Sequence, residues 1–211
     1  MARTRFFDDY LLGKAKEADV LLYMLPWLKG QYDVLLPDYL GIDERGMEMW
    51  HYEPWGLKVM ADAMRRVNKE RTDEIFMKYM QASAVARYDA WEPQGAPWTN
   101  DHRDFPDDIC QLHDEMNMSL AKAWRIHNQQ TATEMAAYFN LKEGEYLRLE
   151  NLDIMPYVVK KAIAKFLKID QEMLNEYPYK PWTEDTKARF FSIIRQGDGD
   201  KDILKILERW Q

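Results

Sequence analysis

The chain has 211 residues, 46% of them hydrophobic and 31% charged, and its 36 acidic against 29 basic side chains leave a net charge of −7. This much apolar material excludes a disordered or low-complexity chain and suffices for one large core or two small ones, while no apolar run approaches the roughly 20 residues of a membrane-spanning helix. The opening MARTRFFDDYLLG carries acids where a secretory signal has its apolar stretch, and the single Cys110 has no partner for an internal disulfide, so a cytoplasmic protein without membrane association is expected.

Residues 5–25 read as a helix that places Phe6, Phe7, Tyr10, Leu11, Leu21, Leu22 and Leu25 on a broad apolar face and breaks near Pro26 and Gly30. Prolines and glycines crowd residues 31–55, where YDVLLPDYLGI is a loop or a set of short helices. Helical patterning returns after Gly56: Leu57, Met60, Ala61 and Met64 share a face. Thr72 is expected to cap a longer helix in which Ile75, Phe76, Tyr79, Met80, Ala84 and Tyr88 recur at intervals of three and four. No segment alternates convincingly as a strand. Residues 91–108, with three prolines, form a linker or an ordered surface loop.

Near that boundary His102, Asp104, Asp107, Asp108, His113, Asp114 and Glu115 lie close in sequence. These are metal-binding residue types, but their spacing matches no ligand pattern, and an acidic loop leading into a helix start accounts for them. Cys110 beside His113 lacks the oriented third group of a nucleophile. The string DGDKD at 198–202 begins like a calcium loop, yet Ile203 stands where the loop needs its glycine and Arg209 where it needs its bidentate acid. No enzyme activity, metal or cofactor is therefore expected.

Residues 121–175 are the informative stretch. In AKAWRIH, Trp124 and its apolar neighbours form one face of a short helix ended by the polar run 128–130. Thr131 then opens a second helix, with Glu134 at the reciprocal position of a capping box and Met135, Ala136 and Phe139 on one face. Asn140 suits the turn. A third helix over 142–151 turns Tyr146 and Leu149 inward, and Pro156 falls in the first turn of a fourth, where its missing amide costs nothing. Val159, Ile163 and Leu167 mark that fourth stripe, and Asp170 caps a short fifth helix through Met173 and Leu174. After a second boundary at 177–182, residues 184–195 and 202–210 look like two last helices.

The strings AKAWRIHNQQTATEMAAYFNL, EYLRLEN and MPYVVKKAIAKFLKI, in that order, resemble the Xre/Cro-like helix-turn-helix family of phage and bacterial repressors and antitoxins, over about residues 118–176. The resulting expectation is an all-α protein with a helical N-terminal domain of unknown role over 1–108, a five-helix helix-turn-helix domain over 109–178 and a helical C-terminal extension over 179–211. The resemblance implies binding of double-stranded DNA, with the third helix in the major groove and helix starts at the phosphates. On that basis Lys142, Glu143, Gly144 and Leu147 meet base edges, and Thr131, Thr133, Arg148, Lys160 and Lys161 complete the contact set. It also implies a transcription regulator of phage or mobile-element type that works as a homo-oligomer.

Charge points elsewhere as well. Residues 116–180 carry nine basic against eight acidic side chains, while residues 1–115 carry 14 against 22. Eight tryptophans and 13 methionines add residue types suited to gripping a partner. The alternative expectation is accordingly a protein-interaction module, an inhibitor or adaptor, that keeps the helix-turn-helix without strong DNA readout and binds its partner through the acidic N-terminal region. The arrangement of charge discriminates between the two. Lys142, Arg148, Lys160 and Lys161 gathered on one exposed face favour DNA, and a face dominated by Glu143 and Glu145 favours a protein.

Overall fold

The computed structural model describes residues 5–67, 69–87, 105–175, 183–196 and 205, and among them every regular element is helical. They fall into two compact units, one built from Met1–Pro54 with Phe105–Leu174 and the other from Trp55–Asp104 with Asn175–Gln211. The boundary expected at 108/109 thus lies inside a segment of the first unit.

The first unit begins with α1 (Phe6–Leu11), a 3₁₀ turn (Glu17–Asp19) and α2 (Val20–Leu28). The single helix expected over 5–25 is therefore broken. Gly13 takes φ +70 after α1, a left-handed conformation open to glycine at no steric cost, and the chain restarts at the 3₁₀ turn. Pro26 lies within α2 instead of ending it. The carbonyl that loses its amide partner there belongs to Leu22, a residue 66% exposed. Gly30, at φ +73, closes the helix. Two short helices follow, α3 (Leu36–Leu40) and α4 (Glu44–Tyr52), the latter capped by Asp43, whose carboxylate accepts from the Gly46 amide at 2.7 Å. Phe6 stacks on Trp50 at 5.6 Å, and Met24, Leu28, Leu40 and Met47 complete this part of the core.

The second unit holds α5 (Gly56–Arg66), α6 (Lys69–Arg87) and α12 (Glu184–Gln196). Buried Ile75, Phe76, Tyr79 and Ala82 form the inward stripe of α6, and Tyr79 meets the ring edge of Phe190 from α12 at 5.2 Å. Two expectations need correction. Thr72 lies inside α6, buried, because the helix starts three residues earlier, and Met64 is half-exposed and leaves the face of Leu57, Met60 and Ala61. Tyr88 and most of the linker at 91–108 lie outside the described residues, as do the boundary at 177–182 and nearly all of the last expected helix.

The rest of the first unit runs through α7 (Asp107–Cys110), a π-helical turn (Gln111–Glu115), α8 (Leu120–His127), α9 (Ala132–Tyr138), α10 (Glu143–Glu150), α11 (Tyr157–Leu167) and a 3₁₀ turn (Gln171–Leu174). From α8 onward these elements stand where the sequence pattern put them, whereas α7 and the π-helical turn occupy a stretch read as loop. Ser119 caps α8 by accepting from the Lys122 amide at 3.2 Å, and Trp124 is buried with its indole N–H donating to the Met173 carbonyl at 3.1 Å. Met135, Ala136, Tyr146, Leu149, Val159, Ile163, Leu167 and Leu174 are the buried residues of one core. Asp170 accepts from the Glu172 amide at 3.1 Å and so caps the final turn.

Candidate nucleic-acid interface

The edge formed by the starts of α9 and α10 is set by capping chemistry. Thr131 accepts from the Glu134 amide at 3.1 Å, while the Glu134 carboxylate accepts from the Thr131 amide at 2.7 Å and its hydroxyl at 2.8 Å. Those two donors hold the Glu134 carboxyl below the usual carboxylate range. Asn140, at φ +54, makes the turn in the left-handed conformation that Asn tolerates, and the Leu141 amide closes it on the Ala136 carbonyl at 2.8 Å. α10 then starts with its own half of a capping box, the Glu145 carboxylate accepting from the Lys142 amide at 2.9 Å.

Of the residues expected at the interface, Thr131, Thr133, Lys142, Glu143 and Gly144 are exposed, and the Thr133 hydroxyl donates to the Glu143 carboxylate at 2.6 Å, joining the two helix starts into one polar edge. A Cβ built on Gly144 would meet no other atom, so that point of the edge is open. Leu147 is half-buried. Arg148, four residues after Gly144 and on the same helical face, is exposed, but one guanidinium nitrogen donates to the Trp27 carbonyl of α2 at 3.3 Å. Lys161 is exposed on α11.

Lys160 departs from expectation. It is 1% exposed, its ammonium donates to the His51 carbonyl, and the rings of Tyr52 and Tyr157 lie 5.6 and 5.5 Å from it. A phosphate cannot reach it there. On α11 it shares the inward stripe of Ile163 and Ala164, three and four residues on, and the adjacent pair Lys160-Lys161 therefore splits between core and surface. The three acids of α10 split likewise. Glu145 is buried at its cap and Glu150 at the far end of the helix, and of the three only Glu143 is exposed.

Sequence reasoning missed what holds this edge from beneath. Glu150, fully buried at the end of α10, takes a two-pronged contact from Arg125 of α8, Nε to Oε2 at 2.7 Å and Nη2 to Oε1 at 3.0 Å, while Arg125 Nη1 donates to the Gln130 carbonyl at 3.1 Å. The fork geometry matches guanidinium to carboxylate and raises the already high arginine pKa further. Burial, followed by the Glu150 charge, drives the Tyr146 hydroxyl upward, and this oxygen is buried without a hydrogen-bond partner. Arg125 recurs four residues after Ala121, and Glu150 four after Tyr146, each on an apolar stripe. Opposite charges on two inward faces were the available signal.

A second buried tie was equally unannounced. The Nδ1 atom of His51 sits 3.0 Å from the Met155 carbonyl oxygen and 3.1 Å from its amide nitrogen, just ahead of α11. Burial first, and the Lys160 ammonium second, push the His51 pKa down to about 3. Away from the edge, His127 pairs with Asp108 at 2.7 Å and this hydrogen bond lowers the carboxyl pKa. Among the described residues no three His, Cys, Asp or Glu side chains gather as a metal site, and no helix is long and apolar enough to cross a membrane; His102 and Asp104 lie outside them, as does the string at 198–202.

No protein-family model matches the chain, and no match to a curated protein or a solved structure was found.

Proposed function

We propose that this chain is a cytoplasmic, homo-oligomeric, DNA-binding transcription regulator of phage or mobile-element type, with an Xre/Cro-like helix-turn-helix that places α10 in the major groove. The observation that carries this reading is the exposed edge on which Thr133 and Glu143 join the starts of α9 and α10. It presents the Lys142 ammonium, the Thr131 and Thr133 hydroxyls, the Glu134 and Glu143 carboxylates to which those hydroxyls donate, and an open backbone at Gly144. The threonine hydroxyls donate to phosphate oxygens once turned away from those carboxylates, Lys142 at the groove-facing helix start donates to base acceptors, and the Glu143 carboxylate accepts from a cytosine amino group. Gly144 lets the helix backbone approach the bases closely. The Arg125–Glu150 fork fixes α10 against α8, so the edge is held before any partner arrives.

The test is a salt-titrated binding assay of the whole chain on the DNA flanking its own gene and on random duplex. Tight binding to the flanking DNA, falling with salt at a slope of about −0.9 per phosphate contact, supports the reading. Lys161→Glu should weaken binding on both duplexes, since phosphate contacts carry no sequence information, whereas Lys142→Glu, at a base edge, should weaken binding most on the flanking duplex. Absence of binding to either duplex at low salt overturns it.

A protein-interaction module, inhibitor or adaptor, is the second reading. It is favoured by Glu143 standing on that edge and by large apolar side chains left open in the first unit, Leu35 at 70%, Leu12 at 67% and Leu22 at 66% exposure.

A further inference from the structure

We infer that the end of α2 is part of the α9–α10 interface, as the element that positions Arg148; this rests on the DNA-binding reading above. Four observations converge on it. Arg148 lies on the face of α10 that Gly144 opens. Its Nη1 donates at 3.3 Å to the Trp27 carbonyl, which also takes the Gly30 amide at 2.9 Å, so the guanidinium occupies a remaining acceptor site at the negative pole of α2. The guanidinium lies against Gly30 so closely that a Cβ there would fall 2.8 Å from Nη1 and 3.3 Å from Cζ and Nη2. Finally, Arg148 remains exposed despite these contacts.

The combination of held and exposed decides what the contact does. A contact that sequestered the arginine would bury it. Here one nitrogen is anchored while the side chain stays open to solvent, and the rotamer freedom an arginine otherwise loses on binding is given up in advance. Gly30 is suited to this bed twice over, by its φ of +73 and by the absence of a Cβ. Lys29, next to Gly30 in the chain, is likewise exposed. The ligand class is the duplex phosphate backbone or the acceptor edge of guanine, both of which take a planar guanidinium.

Gly30→Asn is the variant that tests it, because Asn tolerates positive φ while its side chain displaces the guanidinium. Binding to the flanking duplex should weaken by about three- to tenfold, the loss of one preorganised side chain. In an Arg148→Ala background the same change should cost nothing further, since Gly30 would have no arginine left to position. Equal or tighter binding by Gly30→Asn overturns the inference. So does an equal loss in both backgrounds, which would mark a fold defect, and thermal unfolding of all four proteins would register it directly. If the parent chain binds neither duplex at low salt, it is the DNA-binding reading that has failed, and this inference fails with it.

Discussion

His51 makes the first unit sensitive to acid by a calculable amount. In the folded chain its pKa is pushed down to about 3, first because burial strips the charged ring of water and second because the buried Lys160 ammonium repels it. In the unfolded chain the ring titrates near its ordinary value of about 6.5. Below that pH the unfolded state binds the proton and the folded state does not, so this contribution to stability is complete above about pH 6.5 and is lost progressively as pH falls towards 3. At roughly 1.4 kcal/mol per pH unit, the loss is about 2 kcal/mol at pH 5 and about 3 kcal/mol at pH 4. Urea unfolding at pH 7, 6, 5 and 4 measures it, with the parent compared against His51→Gln, whose amide can still bond Met155 but does not titrate. The variant is less stable at pH 7, yet its stability should fall by about 2 kcal/mol less than the parent's between pH 7 and 5. Parallel pH profiles for the two proteins would refute the reasoning, since carboxylate titration is common to both.

Arg125→Ala should destabilise the first unit by about 3–5 kcal/mol, because it strands the Glu150 carboxylate without its partner, whereas the paired change Arg125→Met with Glu150→Leu should recover most of that in urea unfolding. Thr131→Ala removes one arm of the capping box and should cost about 1 kcal/mol by the same measurement. Trp124→Ala deletes a buried indole and its bond to Met173, with a loss of about 3–5 kcal/mol in thermal or urea unfolding. Lys160→Glu and Lys161→Glu should separate: circular dichroism melting should show a large drop for the buried Lys160 and almost none for the exposed Lys161.

The helices of residues 119–175 were legible because the information that makes them is local. Thr131 and Glu134 cap within one turn, Asp170 caps two residues ahead, and apolar spacing of three and four fixes which side of α8, α9, α10 and α11 faces in. Tyr146, Leu149, Val159 and Ile163 accordingly appear in the core as the pattern requires. The same local logic misjudged positions where a neighbour distant in sequence decides. Pro26 looked like a stop, yet a helix near its end tolerates proline when the carbonyl it frees can face water. Thr72 looked like a cap, yet α6 begins before it. A pair of adjacent lysines looked like one basic patch because sequence adjacency hides that residues 160 and 161 point in different directions around a helix.

The long-range ties were illegible in a stronger sense. His51 and Met155 are separated by 104 positions, Arg148 and Trp27 by 121, and neither pair follows from a period or a cap. Together they show what positions the candidate edge. α10 is gripped at its far end by Arg125 of α8 and on its flank by the end of α2, and α11 is tied to α4 through His51 and Lys160. Residues 5–54 therefore act on the α9–α10 segment as structural neighbours in one compact unit. If the edge binds DNA, a perturbation of α2 or α4 can change affinity without touching a contact residue. A scan of the edge alone would attribute to Arg148 what belongs jointly to Arg148 and Gly30, which is why the coupling between those two positions carries more information about this interface than the effect of either alone.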